Sequence, residues 1–366
     1  MPRLRSEAVA QSAVPRLMRA VLLRGHGGFE QLEYRDGVPV PLPLPGEVLI
    51  RIGAAAVNNT DINTRIGWYS KSTADAAQAG DAGWRGGPVS FPRIQGADAC
   101  GLIVAVGAGV AAARIGERVL VDPVLRDEAG GAAGAGYFGA DRDGAFADFA
   151  TVPAENACPI DSDLSDAELA SFPCSYAAAE NMLTRAEVGA GETVLVTGAS
   201  GGVGSAAVQL ARRRGARVLA VASAAKAELV RSLGASQVLA RAADLRSELG
   251  PESLDAVIDV VGGTHFPAFL DVLRRGGRYA VAGAVGGPLV ELDLRTLYLK
   301  DLRLLGCTMF AAEIFHRLVG YIERREIRPL VSASYALRDI VAAQQAFLTR
   351  SHAGKIVLTL TPGAPP

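Results

Sequence analysis

Residues 193–222, TVLVTGASGGVGSAAVQLARRRGARVLAVA, decide the fold. A short apolar β-branched run is followed by a glycine turn, a stretch with helical period and a second apolar run, in the order strand, turn, helix, strand. Gly198, Gly201 and Gly204 let the chain turn tightly, let backbone approach a pyrophosphate and let the helix pack closely on the strand. The helix N-terminus then faces the phosphate charge. Glycine spacing alone is a weak signal. Embedded between two strands and a helix, the turn carrying Gly198, Ser200, Gly201, Gly202, Val203 and Gly204 is the expected dinucleotide-binding element.

The ribose end lies one strand further on. A site for NAD places Asp or Glu near the end of the second strand, to accept from the 2′-OH. Here RVLAVASAAKAEL has no acid before Glu228, and Ser223 and Lys226 stand in that region. A hydroxyl and an ammonium suit a 2′-phosphate, and the chain has only four lysines. NADPH is therefore the expected cofactor, with Arg241, just after the third strand, as a second candidate clamp.

Outward from the turn, strands and helical stretches alternate from about Leu164, which implies a doubly wound parallel sheet. Before it, from Met18 to about Ala157, β-rich runs are broken by Gly and Pro: RAVLL, EVLIRIGAAAV, GLIVAVG, ERVLV and FADFATV. The chain thus reads as α/β with two domains, a number that 366 residues can support. The expected boundaries are a disordered leader at 1–17, a β-rich domain at 18–160, the nucleotide domain at 161–310, and a segment at 311–366 returning to the first domain. Two segments, Ser70 to Phe91 and Asp122 to Gly144, fit neither pattern and read as long loops.

Composition excludes several function classes. With 37 basic against 38 acidic residues the formal net charge is −1, so no broad positive field draws nucleic acid or an anionic membrane. No apolar run approaches the ~20 residues that cross a bilayer, and MPRLRSEAVAQSAVPRL lacks the apolar centre of a secretory signal. A cytoplasmic protein with a small-molecule partner is expected. Four cysteines lie far apart, without a CxxC pair or a histidine at metal-ligand spacing.

TGASGGVGSAAVQLA resembles the cofactor turn of the medium-chain dehydrogenase/reductase superfamily, in particular its zinc-free quinone oxidoreductase branch. The resemblance extends through MRAVLLRGHGG, PGEVLIRIGAAAVNNTDIN, GADACGLIVAVGAGV, GERVLV, GAFADFATVP and GKIVLTL. It implies a GroES-like catalytic domain against a Rossmann domain, an active site in the cleft between them, and a homodimer or homotetramer. TGASGGVG also fits the turn of short-chain dehydrogenases, but none of the eight tyrosines is followed four residues later by a lysine.

In zinc-dependent relatives a Cys, a His and a later Cys hold a catalytic metal. Here Asn58 stands at the first position and Ala97 at the second, and Cys174 matches only the third, so no metal is expected. Activation then falls to hydrogen bonding, which favours conjugated carbonyl substrates. Hydride addition to an enone or quinone places negative charge on oxygen, where one preorganised donor contributes ~10²- to 10³-fold. In NNTDINTRIGWY the resemblance assigns Tyr69 as donor or proton source, Asn58 as the group orienting nicotinamide or substrate, and Asp61 as the residue fixing the loop. The loop after Tyr69, with Trp68 and Trp84, reads as a lid over a flat apolar substrate. The expected activity is NADPH-dependent quinone or enone reduction. The alternatives are an enoyl thioester reductase, a non-catalytic NADPH-binding sensor or scaffold, and a zinc alcohol dehydrogenase.

Overall fold

A computed structural model describes residues 14–73, 75–84, 87–126 and 136–360. Most of the expected leader, and the centre of the Asp122–Gly144 segment, lie outside the described residues.

All five β-rich runs of the first half form strands: Leu17–Leu23, Glu47–Ala56, Asp98–Val106, Arg118–Val121 and Phe149–Pro153. Most of their residues are buried, and small or β-branched side chains suit a pleated surface covered on both faces. Glu47–Ala56 is central, paired antiparallel with Asp98–Val106, Phe149–Pro153 and Lys355–Thr359. The last of these, with its parallel neighbour Val331–Ala336, comes from the far end of the chain. The C-terminal strands therefore complete the first sheet, while the helix Ala312–Glu323 packs against the helix Pro173–Arg185 beside the nucleotide half.

The second half carries six parallel strands. In spatial order they are Gln237–Leu239, Arg217–Val221, Thr193–Val196, Leu254–Asp259, Leu273–Val281 and Arg303–Gly306. Counted along the chain that order is 3-2-1-4-5-6, so the connections reverse direction beside Thr193–Val196, where such sheets bind dinucleotides. Near-continuous apolar strands such as VLV and AVI suit a sheet covered on both faces. One sequence expectation is shortened: the helical stretch FPAFLDVLRR stops at Val272. Leu273 is already extended and pairs with Leu254, so burial in the sheet overrides helical period there.

The two halves share one apolar core. Ala54, Ala56 and Leu120 of the first sheet belong to the same cluster as Val194, Val196 and Ile258 of the second, joined through Phe172, Tyr176 and Phe315. Tyr176 also donates to the carbonyl of Arg328 at 2.6 Å and accepts from Gln209 Nε2 at 2.9 Å, which satisfies its buried hydroxyl. Continuity of this kind fixes the cleft between the halves. Of the two segments expected as loops, Ser70–Phe91 holds, among its described residues, a short 3₁₀ turn at Ala76–Gln78 and no other helix or strand. The other contains a small ladder, Val124–Leu125 with Gly136–Tyr137, which brings Tyr137 into the core.

Candidate functional site

The cofactor wall of the cleft is made of backbone. Gly198 has φ +55°, a conformation that disfavours a side chain. A Cβ on Gly204 would come within 2.2 Å of the Gly198 carbonyl oxygen, so the helix Gly202–Arg213 starts in contact with the turn. Its first N–H groups point out of the helix without intrahelical acceptors and form an anion cradle. Arg212 and Arg213 in the last turn complement the opposite end of the dipole. Across the switch point, Asp259 ends its strand fully buried and organises the next loop. It accepts from Thr197 Oγ1 at 2.5 Å, Tyr279 OH at 2.5 Å and the N–H of Val261 at 2.8 Å. Sequence reasoning passed over Asp259, although a lone acid after AVI at a strand end was visible.

At the ribose end Ser223 precedes a short 3₁₀ turn that contains Lys226. Lys226 Nζ donates to the carbonyls of Arg350 at 3.0 Å and His352 at 2.5 Å. Burial and the charge of Arg241 push its pKa down. Lys226 and Arg241 thus share one neighbourhood, and Lys226 retains one N–H beyond its two protein partners.

The facing wall is made of side chains. Asn58 adopts extended geometry at the start of the helix Asn59–Arg65, and its N–H donates to Asp61 Oδ2 at 2.8 Å. Gln95 Nε2 donates to the Asp61 carbonyl at 3.0 Å, tying this loop to the segment before Asp98. Burial pushes the Asp61 carboxyl up to about 7, against the pull of the Asn58 N–H and Lys355. After the helix, Tyr69 stands edge-on to Trp68 and Trp84, with centroids at 5.4 and 5.9 Å. Its hydroxyl accepts a long 3.5 Å bond from Asn63 Nδ2, and burial raises its pKa to about 12. Trp84 stacks on Tyr137 at 4.3 Å, and Tyr137 OH donates to Cys174 Sγ at 3.4 Å. Cys174 is half-buried, with its thiol pushed up to about 12 by burial and then by Asp98.

Beneath these groups lies a network that the sequence did not announce. Lys355 Nζ donates to Asn58 Oδ1 at 2.5 Å and to Asp98 Oδ2 at 2.8 Å. Asn58 Nδ2 donates to Asp98 Oδ2 at 2.9 Å and to the Ala56 carbonyl at 3.3 Å. The Cys174 N–H donates to the other carboxylate oxygen at 2.6 Å. Asn58 and Asp61 both lie in this wall, but the Asn58 amide is committed to protein on its oxygen and on both N–H groups. No amide N–H is left free to orient nicotinamide or substrate, the role the resemblance implies. One signal could have found Lys355: it is one of four lysines and opens the apolar strand KIVLTL.

Residues 44–162 match the alcohol dehydrogenase GroES-like domain family, and residues 202–324 match the zinc-binding dehydrogenase family. Quinone oxidoreductase of Rattus norvegicus is 29% identical, with 94% of this chain and 98% of that protein covered. The acryloyl-coenzyme A reductase of Metallosphaera sedula is 30% identical, with 93% and 100% covered. A solved structure from Sinorhizobium meliloti, provisionally described as an alcohol dehydrogenase, is 48% identical with TM-score 0.89, over 94% of this chain and 97% of that one. This chain is a medium-chain dehydrogenase/reductase. It belongs to the quinone oxidoreductase-like branch, with a GroES-like domain and a Rossmann domain, and is an oxidoreductase with a nicotinamide cofactor.

The glycine cradle fits a dinucleotide, since the turn is open only because Gly198 and Gly204 lack side chains. The metal positions of zinc-dependent members of the superfamily are another matter. Ala97 offers no ligand atom, and Asn58 is held by Lys355 and Asp98. Among the described residues no three of His, Cys, Asp and Glu are placed to hold a metal ion. Nor is any helix among them long and apolar enough to cross a membrane.

Proposed function

We propose that this reductase uses NADPH to reduce small α,β-unsaturated carbonyl compounds, quinones and enones, without a metal. The observation that carries this reading is the make-up of the wall facing the glycine cradle. Two acidic-hydrogen donors, Tyr69 and Cys174, stand beside an aromatic surface formed by Trp84 and Tyr137. When bound, the reduced nicotinamide supplies the hydride. Tyr69, whose raised pKa keeps it protonated through the physiological range, donates to the substrate oxygen as charge develops there. Asp61 and Asn58 set the loop that carries Tyr69. Trp84 lies over a flat substrate and excludes water, in a segment that acts as a lid. Ser223, Lys226 and Arg241 receive the 2′-phosphate.

The test is NADPH consumption over a panel of quinones, enones and enoyl thioesters, with NADH alongside. Turnover of quinones or enones in preference with NADPH is expected. Preference for enoyl thioesters would favour the second reading, which the acryloyl-coenzyme A reductase likeness supports. Tight NADPH binding without turnover would instead make the chain a sensor. Deleting residues 72–86 is expected to lower catalytic efficiency, and unchanged efficiency would remove the lid.

The same reading makes the chain a homo-oligomer, with a second copy as partner. Among the described residues the strand Arg303–Gly306 ends its sheet with one edge unpaired, and Leu289, Val290, Leu294, Tyr298 and Leu299 are exposed in the preceding stretch. Patches of this kind favour association, and an open edge favours pairing with its own symmetry copy. Sedimentation of wild type and L294D/L299D tests it: a dimer or tetramer that the double variant converts to monomer is expected.

A further inference from the structure

Gly354 and Lys355 are consecutive, yet they touch both walls of the cleft. The Gly354 N–H donates to the Ser200 carbonyl of the glycine turn at 2.8 Å, and Gly354 bridges to Gly201 in the manner of a short parallel strand. The aliphatic stem of Lys355 runs past the head of the cofactor helix, with Cδ 3.0 Å from where a Cβ of Gly202 would be. The side chain is 3% exposed, and its ammonium ends on Asn58 Oδ1 and Asp98 Oδ2. Asn58 opens the helix that leads into Tyr69, and Asp98 accepts from the first turn of the helix bearing Cys174. One side chain therefore spans from the cofactor cradle to both donor-bearing elements.

A buried ion pair is a poor device for stability alone, because desolvation offsets most of the Coulombic gain. Its geometry carries more information. Asn58 has one acceptor group and two N–H donors, all engaged, and a flip of the amide would set its NH₂ against the ammonium. The ammonium thus fixes the amide in one orientation, and with it the start of the Tyr69 helix. We propose that Lys355 is a positioning residue of the reductase: by locking the Asn58 amide and Asp98 it sets the spacing between the cofactor turn and the Tyr69 and Cys174 donors. This rests on the reductase reading for its effect on rate, but not for its effect on Asn58.

The test uses the NADPH-loaded enzyme and three variants, K355M, K355R and the double variant D98N/K355M. In K355M a kcat reduced roughly 30- to 100-fold is expected, with KM for NADPH within about 3-fold, because lost alignment raises the barrier without weakening cofactor binding. K355R, which keeps the charge, is expected to recover part of kcat. K355M also leaves Asp98 buried without its cation, so its melting temperature falls. D98N/K355M removes both charges; it is expected to regain melting temperature while kcat stays low, because the ammonium that locks the orientation of the Asn58 amide is gone. A double variant that regains kcat together with melting temperature would make the pair merely structural and overturn the proposal, as would full kcat in K355M. The side-chain ¹⁵N resonance of Asn58, one of five asparagines, supplies a readout free of turnover. Wild type is expected to show the Asn58 side-chain amide protons protected from solvent exchange, with that protection lost in K355M. If the wild type reduces nothing in the panel, the reductase reading falls, while this signal still decides the role of Lys355; an unchanged Asn58 signal in K355M refutes it.

Discussion

Along the cofactor wall the work is done by main chain within a single continuous stretch, Gly198 to Gly204, whereas the opposite wall gathers side chains from six separated segments. Asn58, Asp61 and Tyr69 come from one loop, Trp84 from the next, and Asp98, Tyr137, Cys174 and Lys355 from the rest of the chain. The difference teaches where function is written. A backbone site needs particular residues at particular spacings, since only glycine leaves room. A side-chain site needs a topology that delivers its members to one place.

The sharpest way to break this comparison is at the turn. Gly204→Val puts a branched side chain where even a Cβ would sit 2.2 Å from the Gly198 carbonyl. The helix head must move, and its N–H groups with it. We expect loss of dinucleotide binding by at least about 10³-fold, or roughly 4 kcal/mol, measured by calorimetry with NADPH and NADH. Near-normal binding of either would show that backbone does not define that wall.

On the other wall the largest effect concerns charge. Asp61 is buried, and its pKa stands at about 7 against an ordinary 3.8. Because the folded pKa is the higher one, the folded state takes up a proton that the unfolded chain gives up. The stability linked to that proton is fully present below about pH 4, declines as pH rises, and is gone above about pH 7. A shift of this size corresponds to about 4 kcal/mol. Asp61→Asn keeps an acceptor for the Asn58 N–H and removes the titration. Urea midpoints at pH 5 and pH 8 check it: wild type is expected to lose stability across this interval relative to the variant. Parallel curves would mean that Lys355 neutralises Asp61 more fully than its burial suggests.

Legibility divides along the same line. The strands of both sheets were readable because their periods are local, and the cradle because glycine spacing is local. Tyr69, Asn58 and Asp61 were readable only as a loop resembling one in a known family. Lys355 was not, since its partners are 297 and 257 residues away in sequence. Tyr137 was hidden in a segment that reads as loop, because a glycine-rich stretch gives no sign that a two-residue ladder will bury one of its aromatics.

Tyr69→Phe probes this wall next, with a smaller effect. The ring and its edge-on packing against Trp68 and Trp84 remain, so folding and cofactor affinity are expected to be unchanged. Only the donor is lost. A fall in kcat of ~10²-fold is expected with a preferred substrate, equivalent to about 2.7 kcal/mol of transition-state stabilisation. A fall of less than about 3-fold would pass the role to Cys174, which a Cys174→Ala variant would then reveal.

The smallest effect lies at the ribose end, where the two kinds of construction meet. Lys226 is a side chain, but in the protein it is spent on two carbonyls, those of Arg350 and His352. Those residues open the same segment that ends in Gly354 and Lys355, so Lys226→Ala removes a staple and a phosphate donor together. The two roles separate by ligand. A phosphate donor matters only to the phosphorylated dinucleotide, so NADPH affinity is expected to fall about 10-fold, near 1.4 kcal/mol, with NADH unchanged. A staple matters to both, because slack in the segment from Arg350 to Lys355 reaches the Ser200 carbonyl through Gly354. Equal losses for NADPH and NADH would therefore assign Lys226 to the scaffold, and leave Arg241 and Ser223 as the groups that read the 2′-phosphate.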